Sequence, residues 1–232
     1  MNNIVIVFVG VLDVKGSTNI PQATSFMKRG YKVIPINYRT IISKYGMEFF
    51  ENMLLEIVEK HKPYLTLFSK CNGINSSVVA KCSELSTTWL FNMDPRATIE
   101  RCPEVIEHAK NCTISSCTGV DIAEWFVEQG VPKCIQVVQG VDQTVFKPVE
   151  ADKKYDISFI GTRTEERDRY KEALEDAGYT CGFFGRGYSE EVVNGDFAKV
   201  CAESASMLSL NTYNNVHTGY FSNRLVRYLA CG

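Results

Sequence analysis

Near the end of the chain, Ser222 and Asn223 stand where a helix N-cap belongs, and Arg224 falls in the first turn of the amphipathic pattern Leu225, Val226, Tyr228, Leu229. Before them come an apolar, β-leaning run from Met207 to Leu210 and a polar loop with His217 and Gly219. A strand, a glycine-bearing loop and a helix N-terminus with an arginine make a receptor for an anion, because free N–H groups and the positive end of the helix dipole point at one spot. The dipole contributes about 0.3–1 kcal/mol, so charge-assisted bonds from Arg224 must supply most of the grip. An ordinary capped helix packed on a sheet would carry the same pattern. Asn211, at the strand end, fits a ligand contact or a loop brace, and His217 fits a pyrophosphate contact or an exposed loop position.

Gly161 and Arg163 follow the run Ile157–Ile160 at a second strand-to-helix turn. Arg163 suits an anion contact or a surface pair with Glu165 or Glu166, whereas Arg167 and Arg169 lie inside a charged helix and suit solvated positions. Gly185-Arg186-Gly187 would let a ligand approach the backbone closely. Earlier in the chain, Asp13, Lys15, Gly16, Ser17 and Thr18 fill the first strand-to-helix loop, and Asp94 ends a strand before Pro95. Both carboxylates are placed for a cleft, and both also suit turns or caps.

The elements that must position these residues alternate regularly. Ile4–Val11 is a continuous β-branched run, the pattern of a parallel strand buried on both faces. A helix from about Pro21 to Gly30, a strand at 32–38, a helix at 49–61 and a strand at 64–69 follow. Helices near 76–83, 104–110 and 120–129 then trade places with strands at 87–92, 112–116 and 135–139. The rhythm breaks at Gly140–Pro148 and restarts with strand 157–160, helix 165–176, strand 180–184 and helix 197–204. This predicts an α/β protein of two Rossmann-like, doubly wound parallel-sheet domains, residues 1–148 and 149–232.

A net charge of −2 offers no electrostatic case for nucleic acid. Nine cysteines without a CxxC pair, and three histidines, disfavour a zinc site and suit buried thiols in a reducing compartment. The apolar run at the N-terminus is too short to span a bilayer and lacks a basic leader, so a soluble, cytoplasmic protein without a transmembrane segment is expected. No GxGxxG fingerprint follows the first strand, which disfavours a nicotinamide dinucleotide enzyme.

Four segments in order resemble the GT-B glycosyltransferases, in particular the CgeB-like group of the glycosyltransferase family 1/4 clan. Gln139-Gly-Val-Asp-Gln-Thr-Val-Phe-Lys-Pro148 resembles the segment joining the two domains there. Tyr155-Asp-Ile-Ser-Phe-Ile-Gly-Thr-Arg163, with Glu166 and Arg167, resembles the opening of the C-terminal domain, and Phe184-Gly185 its second strand. Ser222-Asn-Arg-Leu-Val-Arg-Tyr-Leu-Ala-Cys-Gly232 is similar to the helix after its third strand. The resemblance covers the chain from about residue 86, and earlier residues by architecture alone.

It implies metal-independent transfer of a sugar from a nucleotide diphosphate sugar to an unknown acceptor, with no cofactor beyond that donor substrate. Gly161, Arg163, Gly185, Arg186, Asn211, His217, Gly219, Ser222, Asn223 and Arg224 would hold the donor. If the anomeric centre inverts, Asp13 or Asp94 would take the acceptor's proton. The glutamate that bonds the donor ribose in such helices is Arg227 here, which cannot accept those bonds but can meet a phosphate. A complete second domain of this type continues beyond the position of Gly232, so the second domain is expected to be incomplete. Two other readings fit the same pattern: a sugar-nucleotide epimerase, and a nucleotide-sugar-binding protein with reduced catalysis.

Overall fold

The computed structural model describes residues 4–189, 191–211 and 220–232, and it divides into two compact units. The first holds residues 4–138 with Tyr220, the second residues 139–211 and 221–232. The division falls before the boundary expected after Pro148. Phe146 explains it: its ring packs edge-on against Phe197, at 5.4 Å, within the second unit's core.

In the first unit, β1 (Val5–Gly10), α1 (Asn19–Lys28), β2 (Lys32–Asn37), α2 (Tyr38–Tyr45), α3 (Met47–His61) and β3 (Leu65–Ser69) lead into α4 (Ser76–Leu85) and β4 (Thr87–Phe91). Then come α5 (Arg96–Ile99), α6 (Glu104–Asn111), β5 (Ile114–Cys117), α7 (Val120–Glu128) and β6 (Cys134–Gln136). Among the described residues the strands form one parallel sheet in the order β2-β1-β3-β4-β5-β6. The β-branched run of β1 suits an interior strand, second in the sheet: Val7, Phe8 and Val9 are fully buried, with helices covering both faces. Helix α2 was not anticipated from the sequence. Its apolar residues are few, and Ile41 and Ile42 make it helical by packing on the core.

The second unit contains β7 (Tyr155–Ile160), α8 (Glu165–Asp176), β8 (Cys181–Phe184), α9 (Gly195–Ala202), β9 (Ser204–Met207) and α10 (Asn223–Cys231). Its described strands form a parallel sheet in the order β8-β7-β9. The last strand lies earlier than the apolar run expected from Met207 to Leu210. The polar Ser204 pairs with the sheet because its Oγ bonds Ser158 Oγ at 2.7 Å and Val200 O at 2.7 Å. Leu208 and Leu210 instead pack beside Phe159 and Phe183. Both units are thus Rossmann-like α/β sheets flanked by helices. No helix among the described residues is long and apolar enough to cross a membrane.

Candidate functional site

The C-terminal end of β7 gathers some of the residues expected to hold a donor, Gly161 and Arg224 among them. β9 departs from β7 early: its register ends at Ser158↔Met207, and Leu208 N–H makes one further bond to Ser158 O at 2.7 Å. The main-chain groups of Ile160 are therefore left without a strand partner on that side, and buried backbone groups must find one. Helix α10 supplies both. The Ile160 N–H donates to Tyr228 Oη at 2.9 Å, and Arg224 Nη1 donates to Ile160 O at 3.0 Å. Arg224 Nη2 reaches Leu210 O, and its guanidinium lies 4.6 Å from the Phe159 ring centre. A planar fork can serve two carbonyls and an aromatic face at once, which an ammonium cannot.

A second arginine joins it. Arg167, expected to be solvated, is only 8% exposed; its guanidinium lies 4.9 Å from the Phe159 ring centre. Its Nη1 donates to Thr162 O and its Nη2 to Leu210 O at 3.5 Å. Burial lowers its pKa, but a guanidinium remains charged in any ordinary pH range. Two cations thus share one ring and one carbonyl. The signal available in the sequence was Thr164, whose Oγ1 accepts from Arg167 N–H at 3.3 Å and fixes Arg167 in the first turn of α8.

Glycines bring the backbone close here. Gly161 N–H to Phe184 O and Arg163 N–H to Arg186 O, both 2.8 Å, carry the β7–β8 ladder past the strand ends. A Cβ at Gly185, where φ is +104°, would lie 2.8 Å from Gly161 O, and one at Gly161 would lie 2.5 Å from Arg224 Nη1. At the α10 N-terminus, Ser222 is the extended N-cap residue but its side chain makes no capping bond. The Ser222 Oγ and Asn211 Oδ1 atoms are buried without a hydrogen-bond partner among the described residues. Asn223 opens the helix. His217 and Gly219 lie outside the described residues.

Arg163 and Arg186 turn elsewhere. Arg163 Nε pairs with Asp168 at 2.9 Å, and the hydrogen bond holds the Asp168 carboxyl below its ordinary range. Arg163 also lines a cavity of about 250 Å³ with Asp168, Lys171, Glu172, Gly187 and Tyr188, and Arg224 is not among the residues lining it. Asp168 in the first turn of α8 takes the place of the alternative partners expected for Arg163, Glu165 and Glu166. Arg186 pairs with Glu191 at 3.0 Å. Arg227 stacks its guanidinium 4.7 Å from the Phe146 ring centre, and burial lowers its pKa.

In the first unit, Asp13 is exposed and accepts from Thr40 Oγ1. The bonds from Thr40 and Asn37 lower its pKa, which makes it a weaker base. Asp94, at the end of β4, pairs with Lys70 at 2.6 Å at the end of β3. Deeper in, Asn19 bonds Val11 N–H at 2.8 Å, Ser69 Oγ at 2.7 Å and Gln22 Oε1 at 3.0 Å, tying the β1 and β3 ends together. Lys70 escaped the sequence reading because a single lysine after a strand carries no pattern. Among the described residues no group of three or more His, Cys, Asp or Glu side chains is placed to hold a metal ion.

No protein-family model matches this chain, and a search of curated proteins returns no match.

Proposed function

We propose that the chain is a GT-B-type glycosyltransferase-like protein that transfers a sugar from a nucleotide diphosphate sugar, with the donor held by the second unit and the acceptor by the first. One observation carries the reading: Arg167 and Arg224 converge on Phe159 and on the Leu210 carbonyl at the end of β7. The glycines that expose backbone adjoin this cluster, and Arg224 belongs to the first turn of α10. Two fixed cations and a helix N-terminus on one strand edge form a preorganised field for a diphosphate, whose negative charge grows as the sugar leaves. In this reading Arg167 takes the part expected of Arg163, and Arg163 braces α8 through Asp168. Ser222, Asn223, Asn211 and the Gly161 and Gly185 backbone line the approach; His217 and Gly219 are donor contacts by the resemblance alone. Asp13 and Asp94 both remain candidates for the base; the bonds to Asp13 oppose proton uptake there, and Asp94 is paired with Lys70.

A thermal-shift titration with UDP, GDP, ADP and CDP tests the donor site. At least one should stabilise the protein progressively with concentration, as mass action requires. Absence of stabilisation by every diphosphate would remove the donor assignment. Product analysis with donor sugar alone then separates transfer from epimerisation. The binding-only alternative draws on Arg227, which is stacked on Phe146 where a ribose-bonding carboxylate is expected; binding without turnover would select it.

A further inference from the structure

The first unit has a polar edge of its own. Its strand order reverses direction between β1 and β3, and open α/β sheets take ligands outside the strand ends at such a reversal. The Asn19 bonds to Val11, Gln22 and Ser69 make the two loop roots rigid there. Directly after β3, Lys70 and Cys71 are successive non-glycine residues with left-handed φ of 66° and 60°. That conformation costs roughly 1–2 kcal/mol per residue, and backbone strain of this kind collects at ligand sites. It brings the Lys70 ammonium to 2.6 Å from Asp94 Oδ1, with both side chains part-exposed. Asn92 is fully buried behind them; its Nδ2 donates to Asp94 O at 3.2 Å, and its Oδ1 is without a hydrogen-bond partner among the described residues.

We propose that this edge binds a neutral polyhydroxylated ligand, a sugar or polyol, with two neighbouring hydroxyls set against Lys70 and Asp94. An ammonium bonded once retains two further N–H groups, and the carboxylate retains its second oxygen. Donor and acceptor side by side match adjacent hydroxyls, each of which both gives and takes a hydrogen bond. At the pair itself the two charges cancel, which favours a neutral ligand there. Asp13, Arg39 and exposed Lys15 stand at the neighbouring strand ends. An anion arriving at Lys70 would meet a cation already matched by a carboxylate. Calling this ligand the acceptor rests on the transfer reading above; its binding does not.

The test is amide chemical-shift mapping of the intact chain titrated with methyl glucoside, methyl galactoside and methyl mannoside, and separately with inorganic phosphate. At least one glycoside should move the amides of residues 69–74 and 92–94. Lys70→Met and Asp94→Asn should each weaken it about tenfold, with nucleoside diphosphate binding unchanged. The proposal is overturned if no glycoside moves those amides, if phosphate moves them more strongly, or if both folded variants bind glycoside as the parent does. The mapping on the parent chain decides the matter even if a variant fails to fold. Failure of the diphosphate titration with glycoside shifts intact would sink the transfer reading and leave this site standing; the reverse pair of results would do the opposite.

Discussion

Arg224→Met separates a structural arginine from one that serves only a ligand. Methionine fills similar space, so the loss comes from hydrogen bonds rather than from a cavity. The Ile160 carbonyl loses its 3.0 Å donor, while the Leu210 carbonyl keeps a weaker one from Arg167 at 3.5 Å. One orphaned buried carbonyl costs about 1–3 kcal/mol. The lost contact with the Phe159 ring adds about 0.5–2 kcal/mol, giving an expected destabilisation of about 1.5–5 kcal/mol. With a urea dependence of about 2 kcal/mol per molar, the midpoint should fall by roughly 0.8–2.5 M. Both tryptophans, Trp89 and Trp125, lie in the first unit, so their fluorescence reports that unit while far-UV circular dichroism reports both. The drop should appear in the dichroism of the second unit's transition. Arg224→Lys should fall between the two, since one ammonium cannot span both carbonyls. An unchanged midpoint in Arg224→Met, without nucleotide present, would refute the idea that this side chain completes the β7 edge.

His108 should make stability depend on pH. Its ring is fully buried with Nε2 3.0 Å from Ile74 O; burial lowers its pKa below the ordinary 6.5, outweighing the upward pull of that bond and of Glu104 and Glu107. A lowered folded pKa means the neutral ring is favoured, so its contribution is complete above pH 6.5 and is lost as pH falls from there through the folded value. Melting temperatures from about pH 7.5 down to about pH 5 should decline in the parent and flatten in His108→Gln; equal slopes would exclude the histidine as the cause. Gly185→Ala should cost more than Gly161→Ala in urea unfolding. The first places a Cβ against Gly161 backbone at φ +104°, a left-handed penalty of about 1–2 kcal/mol added to overpacking of about 1–3 kcal/mol. The second meets side-chain ends rather than backbone, Arg224 Nη1 at 2.5 Å and Phe159 Cζ at 2.9 Å, and carries no left-handed penalty. The reverse order would show that the Arg224 position matters more than the backbone approach.

Much of the fold was legible locally. β-Branched runs such as Ile4–Val11 read as buried parallel strands, and Glu165–Asp176 appears as the helix expected at 165–176. These patterns arise from periods of two and 3.6 residues and need no knowledge of distant partners. The Ser222 cap and the place of Arg224 in the first turn of α10 were legible for the same reason. The partners of the site residues were not. Which carbonyl Arg224 meets depends on a pairing across 64 residues, and the Lys70–Asp94 contact spans 24.

The sequence by itself therefore determined the alternation of strands and helices, the parallel sheets and the ends at which loops can gather chemistry. Tertiary structure decided that β9 leaves β7 early, that Arg167 is buried and Arg163 turned to Asp168, and that Lys70 stands over Asp94. The physical reason is that hydrophobic periodicity is a property of neighbouring residues, whereas an unpaired carbonyl or carboxylate acquires its partner only after the sheet has placed distant segments side by side.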